Sequence, residues 1–219
     1  MQQFAENETF EHLLQPPYTE VLNDSFELKG KWNSHFFKND NPIVLEIGCG
    51  KGEYTVALAE QNPDKNFIGI DIKGNRLWTG ATQVKAKGLK NAGFIRSKAD
   101  YLQAFFGENE VSEIWLTFSD PQPKKPGKRL SSPSYLAKYR MFTTEHALIH
   151  LKTDNRLLYN STLEVIQEEK LKTNFETYDL YQDWVNVPEH LKPCLEVKSY
   201  YEQLFLGKKY RINYLNFNL

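Results

Sequence analysis

Short apolar runs, each followed by a stretch with helical spacing, set the rhythm of this chain. Ile43 to Ile47 is apolar except for Glu46 and reads as a buried strand of a parallel sheet. The signal returns at Phe67-Ile68-Gly69-Ile70, at Ala92 to Ile95, at Ile114-Trp115-Leu116-Thr117-Phe118 and at Ala147 to Leu151, in segments rich in β formers. Between the first two runs, Tyr54, Ala57 and Leu58 recur at helical spacing within Glu53 to Glu60, and Pro63 follows as a stop. Leu77, Ala81, Val84 and Gly88 line one face of a second helix. Leu157, Leu158, Val165 and Ile166 line another that starts near Asn155. Phe175 to Tyr181 and Tyr210 to Phe217, the latter after the turn Gly207-Lys208-Lys209, alternate as two last strands. Strands alternating with helices predict an α/β protein built on a doubly wound sheet.

A ligand of such a sheet lies beyond the carboxyl ends of the strands, so the residues that follow each strand carry the chemistry. The first strand runs into Glu46-x-Gly48-x-Gly50-x-Gly52. Glycine permits the positive φ of a sharp turn and lets a ligand approach bare backbone. A dinucleotide-binding turn has G-x-G-x-x-G spacing and receives a pyrophosphate. Here a carboxylate stands at the strand end, which suits a ligand carrying positive charge. S-adenosylmethionine fits, with its ammonium, its sulfonium and a carboxylate that a helix N-terminus can hold. Another nucleotide, or a turn with no ligand, would use the same glycines. The pattern resembles the first motif of class I methyltransferases. Asp71 ends the second strand roughly 20 residues past the turn, where an acidic residue takes ribose hydroxyls; capping the next helix is its other use. Asp100, just after the third strand, is placed to accept an adenine amino group.

Beyond the fourth strand comes Ser119-Asp120-Pro121-Gln122-Pro123-Lys124-Lys125-Pro126-Gly127-Lys128-Arg129. Its prolines forbid a helix and stiffen the loop. Lys124, Lys125, Lys128 and Arg129 crowd positive charge onto it, with Lys138 and Arg140 a little further on. The chain as a whole has a net charge of −1, so a nucleic-acid backbone would be met by this local patch rather than by a global field. A merely solvated loop is the plainer alternative. Thr153-Asp154 ends the fifth strand at the same edge as Asp120, and a helix cap is the ordinary use of such an Asp.

Composition narrows the rest. At 219 residues, 40% apolar and 25% charged, the chain suits one globular domain with a substantial core. Two cysteines, Cys49 and Cys194, make no disulfide framework and fit a reducing cytoplasm; Cys49 reads as a small turn residue. No signal peptide and no apolar run of about 18 residues is present, so no membrane association is expected. His146 and His150 lie four apart without a third ligand, and no metal site is expected. Residues 1–40 are polar and interrupted by Pro16-Pro17. They are expected to form an irregular arm packed on a single domain spanning 41–219, their aromatics docking on the core rather than stacking on RNA.

Glu46-Ile47-Gly48-Cys49-Gly50-Lys51-Gly52, Gly69-Ile70-Asp71, Asp120-Pro121-x-Pro123-Lys124-Lys125 and Lys152-Thr153-Asp154 occur in that order. From about residue 40 to the C-terminus they resemble the bacterial tRNA (guanine-N7)-methyltransferases of the TrmB family. That family usually has Trp where Gln122 stands, Glu where Asp71 stands, and a longer, more basic loop at Pro126-Gly127. The resemblance implies a Rossmann-like class I methyltransferase sheet, mostly parallel with an antiparallel C-terminal strand. It implies S-adenosylmethionine as cofactor, tRNA as partner, and methyl transfer to N7 of a guanine in the variable loop, position 46, by a cytoplasmic monomer or homodimer. By the same resemblance Glu46, Gly48, Gly50, Asp71, Asp100 and Asp120 line the donor site, with Asp120 also catalytic. Lys124, Asp154 and the segment Ser199-Tyr200-Tyr201-Glu202 contact the substrate, and Lys125, Lys128 and Arg129 meet RNA backbone. Without the resemblance, Tyr200 and Tyr201 read as strand aromatics facing a core. The rival readings are a methyltransferase for amino groups, whose motifs at this strand end also contain proline, and a non-catalytic RNA-binding subunit.

Overall fold

The computed structural model describes residues 2–219. Eight strands, β1 (Leu13–Leu14), β2 (Ile43–Ile47), β3 (Asn66–Asp71), β4 (Ala92–Arg96), β5 (Val111–Thr117), β6 (Thr143–Thr153), β7 (Thr173–Thr177) and β8 (Asn213–Asn218), form one sheet. Their spatial order is β1-β4-β3-β2-β5-β6-β8-β7. β1 through β6 pair in parallel, β8 pairs antiparallel to both β6 and β7, and so β8 alone runs against the others. The helices are α1 (Gln2–Asn7), α2 (Tyr18–Leu22), α3 (Glu53–Gln61), α4 (Gly74–Lys87), α5 (Pro133–Tyr139), α6 (Arg156–Glu168), α7 (Lys192–Glu196) and α8 (Tyr200–Gly207). None is long and apolar enough to cross a membrane.

Alternation along the strands builds two cores. Val44, Phe67, Phe94 and Trp115 face Val56, Leu58, Leu77 and Val84 of α3 and α4. Leu45, Ile68, Ile95 and Leu116 face Leu136 of α5 and Leu158 and Ile166 of α6. Every residue of β2 is buried, which is why its sequence reads as a continuous apolar run.

The first forty residues are less irregular than their polarity suggests. α1 packs on α4, with the Asn7 side-chain amide donating to the Gly74 carbonyl at 2.9 Å. β1 extends the sheet along β4. A π-helical turn, Trp32–Phe37, sinks Trp32 completely, and its indole N–H donates to the Phe105 carbonyl at 2.8 Å. Phe10, Phe26 and Phe37 are buried too, whereas Tyr18 is exposed.

Phe94 is the packing hub beneath the glycine turn. A Cβ on Gly80 of α4 would lie 2.6 Å from the Phe94 ring and 2.8 Å from the Lys51 carbonyl. Helix propensity alone would make Gly80→Ala stabilising by about 1 kcal/mol. Overpacking costs about 1–3 kcal/mol and here presses on an aromatic ring and on backbone. The expected result is therefore a net loss of up to about 2 kcal/mol in urea unfolding; a gain would show that Phe94 has room to move.

Candidate active site

β2 has β3 and β4 on one side and β5 on the other, so the winding direction switches between β2 and β5. The loops leaving these two strands diverge there and open a cleft, as such switch points do. Glu46, Gly48, Gly50, Tyr54, Phe118 and Tyr201 are among its walls.

The turn after β2 is made by Gly48, Gly50 and Gly52 at φ of 77°, 58° and 72°. These are left-handed values that glycine adopts without strain. The Gly48 and Cys49 N–H groups both donate to the Ile70 carbonyl, at 2.8 and 3.0 Å, which ties the turn to the end of β3. A Cβ on Gly48 or Gly50 would meet nothing within 4 Å, so bare backbone faces open space there. Cys49 is buried and its thiol is pushed well up by burial, the state of a packing residue and not of a nucleophile.

Glu46 forms the floor and is 4% exposed. One carboxylate oxygen accepts from the Thr55 N–H at 2.9 Å and the Thr55 hydroxyl at 2.5 Å; the other accepts from the Thr117 hydroxyl at 2.6 Å. Burial outweighs these three donors and raises the carboxyl to about 7. Asp71 braces the rim, accepting from the Gly50 N–H at 3.0 Å and from the Lys73 N–H at 2.8 Å.

The second wall is the loop after β5. Phe118 and Gln122 sit at φ of 50° and 45°, left-handed conformations that cost non-glycine residues about 1–3 kcal/mol each. Asp120 stands exposed between them, and one of its oxygens accepts the Gln122 N–H at 2.9 Å. Arg129 closes the loop on itself, its Nε donating to the Pro121 carbonyl at 3.0 Å. Ser119 Oγ is buried with no hydrogen-bond partner among the described residues. Lys124 and Lys125 are exposed, whereas Lys128 leans 3.4 Å from Asp100. Asp100 also accepts from the Tyr135 hydroxyl at 3.2 Å and lies 3.7 Å from the Lys138 ammonium. Burial alone would raise the Asp100 carboxyl, but these donors bring it below the ordinary value. Asp100, Lys128, Lys138 and Tyr135 thus form one polar cluster.

Asp154 follows β6 half-buried, and desolvation raises its carboxyl. It is not the cap of α6: that role falls to Asn155, whose side chain accepts the Leu158 N–H at 3.0 Å.

The Ser199–Glu202 segment is no strand. Ser199 is the N-cap of α8, its hydroxyl accepting the Glu202 N–H at 3.2 Å. Ser199 and Tyr201 border the cleft, and Tyr200 is exposed with the Lys51 ammonium 5.2 Å from its ring centre. Glu202 requires a correction, because it is completely buried and has no face to offer a substrate. Its carboxylate pairs with the equally buried Lys152 ammonium at 2.6 Å and accepts from the hydroxyls of Tyr54 at 3.0 Å and Tyr181 at 2.5 Å. Lys152 also donates to Tyr54 Oη at 2.5 Å and to the Leu195 and Val197 carbonyls. This knot fastens the start of α8 behind the glycine turn.

Tyr54, Thr55 and Thr117 escaped the sequence reading. Their partners are distant in sequence, and the only available signal was that a buried carboxylate at position 46 must find donors. His150 is buried 3.2 Å from Glu113 and stacked on Trp115 at 4.1 Å, while His146 is exposed. Among the described residues no group of three His, Cys, Asp or Glu is placed to hold a metal ion.

Comparison with known proteins agrees with this geometry. A methyltransferase family model matches residues 40–213. A tRNA (guanine-N(7)-)-methyltransferase from Bacteroides fragilis (strain YCH46) is 48% identical over 219 residues, covering 100% of this chain and 85% of that protein. One from Christiangramia forsetii is 43% identical over 221 residues, covering 100% and 97%. Among solved structures, the 16S rRNA methyltransferase KamB is similar with a TM-score of 0.64 and 16% identity, over 85% of this chain and 91% of that one, a likeness of fold alone.

Proposed function

The chain belongs to the tRNA (guanine-N(7)-)-methyltransferase family, and on that premise we propose that it methylates N7 of a guanine in the tRNA variable loop, position 46, with S-adenosylmethionine as donor. The observation that carries the reading is the meeting of two loops at one switch point. The glycine turn over Glu46 faces the strained Asp120 loop, and that loop continues into exposed lysines. In this reading the cytoplasmic enzyme acts as a monomer or homodimer, with residues 1–40 as an arm on a catalytic domain of 41–219.

The residues present fit the donor. Gly48 and Gly50 offer backbone without side chains, and Glu46 offers a carboxylate whose ionised form a cation would favour. When bound, the cofactor supplies a methyl group activated by a positive sulfur. Guanine N7 carries a free lone pair and no proton, so no general base is needed. What the protein must do is hold the two reactants in line and favour the positive charge that moves onto the purine. Asp120 and the half-buried Asp154, at the carboxyl ends of adjacent strands, are the carboxylates placed for that, an oxyanion hole with its sign reversed. Lys124, Lys125, Lys128 and Arg129 are assigned to RNA, with Arg129 also bracing the loop and Lys128 shared with Asp100. Ser199, Tyr200 and Tyr201 border the substrate side.

Glu46 gives the donor site a pH signature. Its folded pKa of about 7 lies above the ordinary 4.5. Its burial therefore costs nothing below about pH 4.5, costs progressively more as pH rises to about 7, and is constant above that. A cationic ligand favours the ionised form, so donor binding should release a proton below pH 7. Donor affinity measured by calorimetry should rise from pH 6 to pH 8, by at most about tenfold per unit below the pKa, and Glu46→Gln should flatten the profile. A flat profile in the unsubstituted protein would remove Glu46 from the donor site.

Labelled donor incubated with bulk tRNA, followed by chemical cleavage at 7-methylguanine, tests the proposal. Cleavage in the variable loop is expected; label on adenine or on protein would overturn it.

A further inference from the structure

Because β8 alone runs against the sheet, its first residue lies at the carboxyl edge, where Asn213 is the register partner of Thr153 beside Asp154. The turn feeding β8 is carried to the same edge. All of its residues, Gly207, Lys208, Lys209, Tyr210 and Arg211, are exposed. A ladder of rings joins this turn to the cleft. Tyr210 meets Phe205 edge-on at 5.9 Å, and Phe205 stacks on Tyr201 at 6.4 Å and lies 5.8 Å from Phe118 in the cleft wall. Tyr201 in turn meets Tyr200 at 5.8 Å. Tyr200, Tyr201 and Tyr210 remain 56%, 43% and 53% exposed, so the ladder is only partly used as core. Of the cations in the turn, Arg211 has one carboxylate near it, Asp179 at 3.6 Å.

A run of lysines alone would be an ordinary solvated turn. Exposed aromatic rings among those cations, continuous with the cleft, match what unpaired nucleotides need: positive charge for phosphates and flat faces for bases. The proline–lysine loop leads into α5 on one face of the sheet, whereas Phe205 and Leu206 of α8 pack on the other. We propose that Lys208, Lys209, Tyr210 and Arg211 form a second RNA-contact surface, gripping the substrate from the face opposite Lys124–Arg129 and stacking an unpaired base on Tyr210. This rests on the tRNA reading above.

The test compares the full-length protein with a Lys208→Ala/Lys209→Ala/Arg211→Ala variant and with Tyr210→Ala. The readouts are unmodified-tRNA binding across a salt series, donor affinity and thermal midpoint. The triple variant should lower the slope of log affinity against log salt by about 2–3, at roughly 0.7–0.9 per phosphate contact. Tyr210→Ala should weaken binding about 5- to 150-fold, the worth of one base–aromatic stack, with the slope retained. Donor affinity and thermal midpoint should not change. An unchanged slope in the triple variant, or unchanged affinity in Tyr210→Ala, would overturn this surface while the unsubstituted protein still methylates tRNA. If the unsubstituted protein neither binds nor methylates tRNA, the functional reading fails instead.

Discussion

Asp120→Ala is expected to slow methyl transfer about 10²- to 10³-fold, the usual loss when one electrostatic partner of a transition state is removed. tRNA affinity should change little, because cations and not this carboxylate meet the phosphates. The structure supplies a control. Asp120 also accepts the Gln122 N–H at 2.9 Å and so helps hold a loop with left-handed residues on both sides of it. Asp120→Asn keeps an oxygen for that bond and removes only the charge. If charge at this position stabilises the developing purine cation, the Asn variant should be as slow as the Ala variant in single-turnover assays. Near-normal turnover in Asp120→Asn would reduce Asp120 to a turn residue.

Lys152→Met is expected to be the most damaging single change to stability, because it strands Glu202 with no exposure and no counter-charge. Breaking a buried ion pair from one side costs about 3–5 kcal/mol, a large share of the 5–15 kcal/mol that holds a typical domain. Burial already lowers the Lys152 ammonium to about 8 despite the carboxylate at 2.6 Å, so the pair is a costly arrangement held by its full set of hydrogen bonds. The Lys152→Met/Glu202→Gln double variant should regain most of the loss in urea unfolding, since two neutral partners leave no orphaned charge. The same series decides what Glu202 does. As a fastening for α8, Glu202→Gln must lower stability; as a substrate contact it would lower transfer and leave the unfolding midpoint alone.

The parts of this fold legible in the sequence were those set by local pattern. β2 was readable as a buried strand because both its faces are covered. The helix over Leu77 to Gly88 was readable because one face of α4 packs on the sheet and Gly88, at φ 65°, ends it. The arm was not readable, since α1, α2 and β1 are too short to show a hydrophobic period and are held by distant partners such as Gly74 and β4. In the site, the glycine turn and the Asp120 loop were legible because turn geometry and proline leave marks on sequence. Glu202 was misplaced because nothing local distinguishes an acid aimed at a ligand from one aimed at a buried lysine on a strand distant in sequence. Asp154 and Asn155 show the same limit on a small scale, with the cap falling one residue later than the simplest reading.

The central claim is transfer to N7 itself, and the most direct measurement compares two tRNAs that differ at one atom. Labelled methyl transfer is followed to an unmodified tRNA and to the same tRNA carrying 7-deazaguanosine at position 46, where carbon replaces N7. The account predicts labelling of the first and none of the second, with equal binding of both. Methyl transfer to the 7-deaza tRNA at a comparable rate would contradict it.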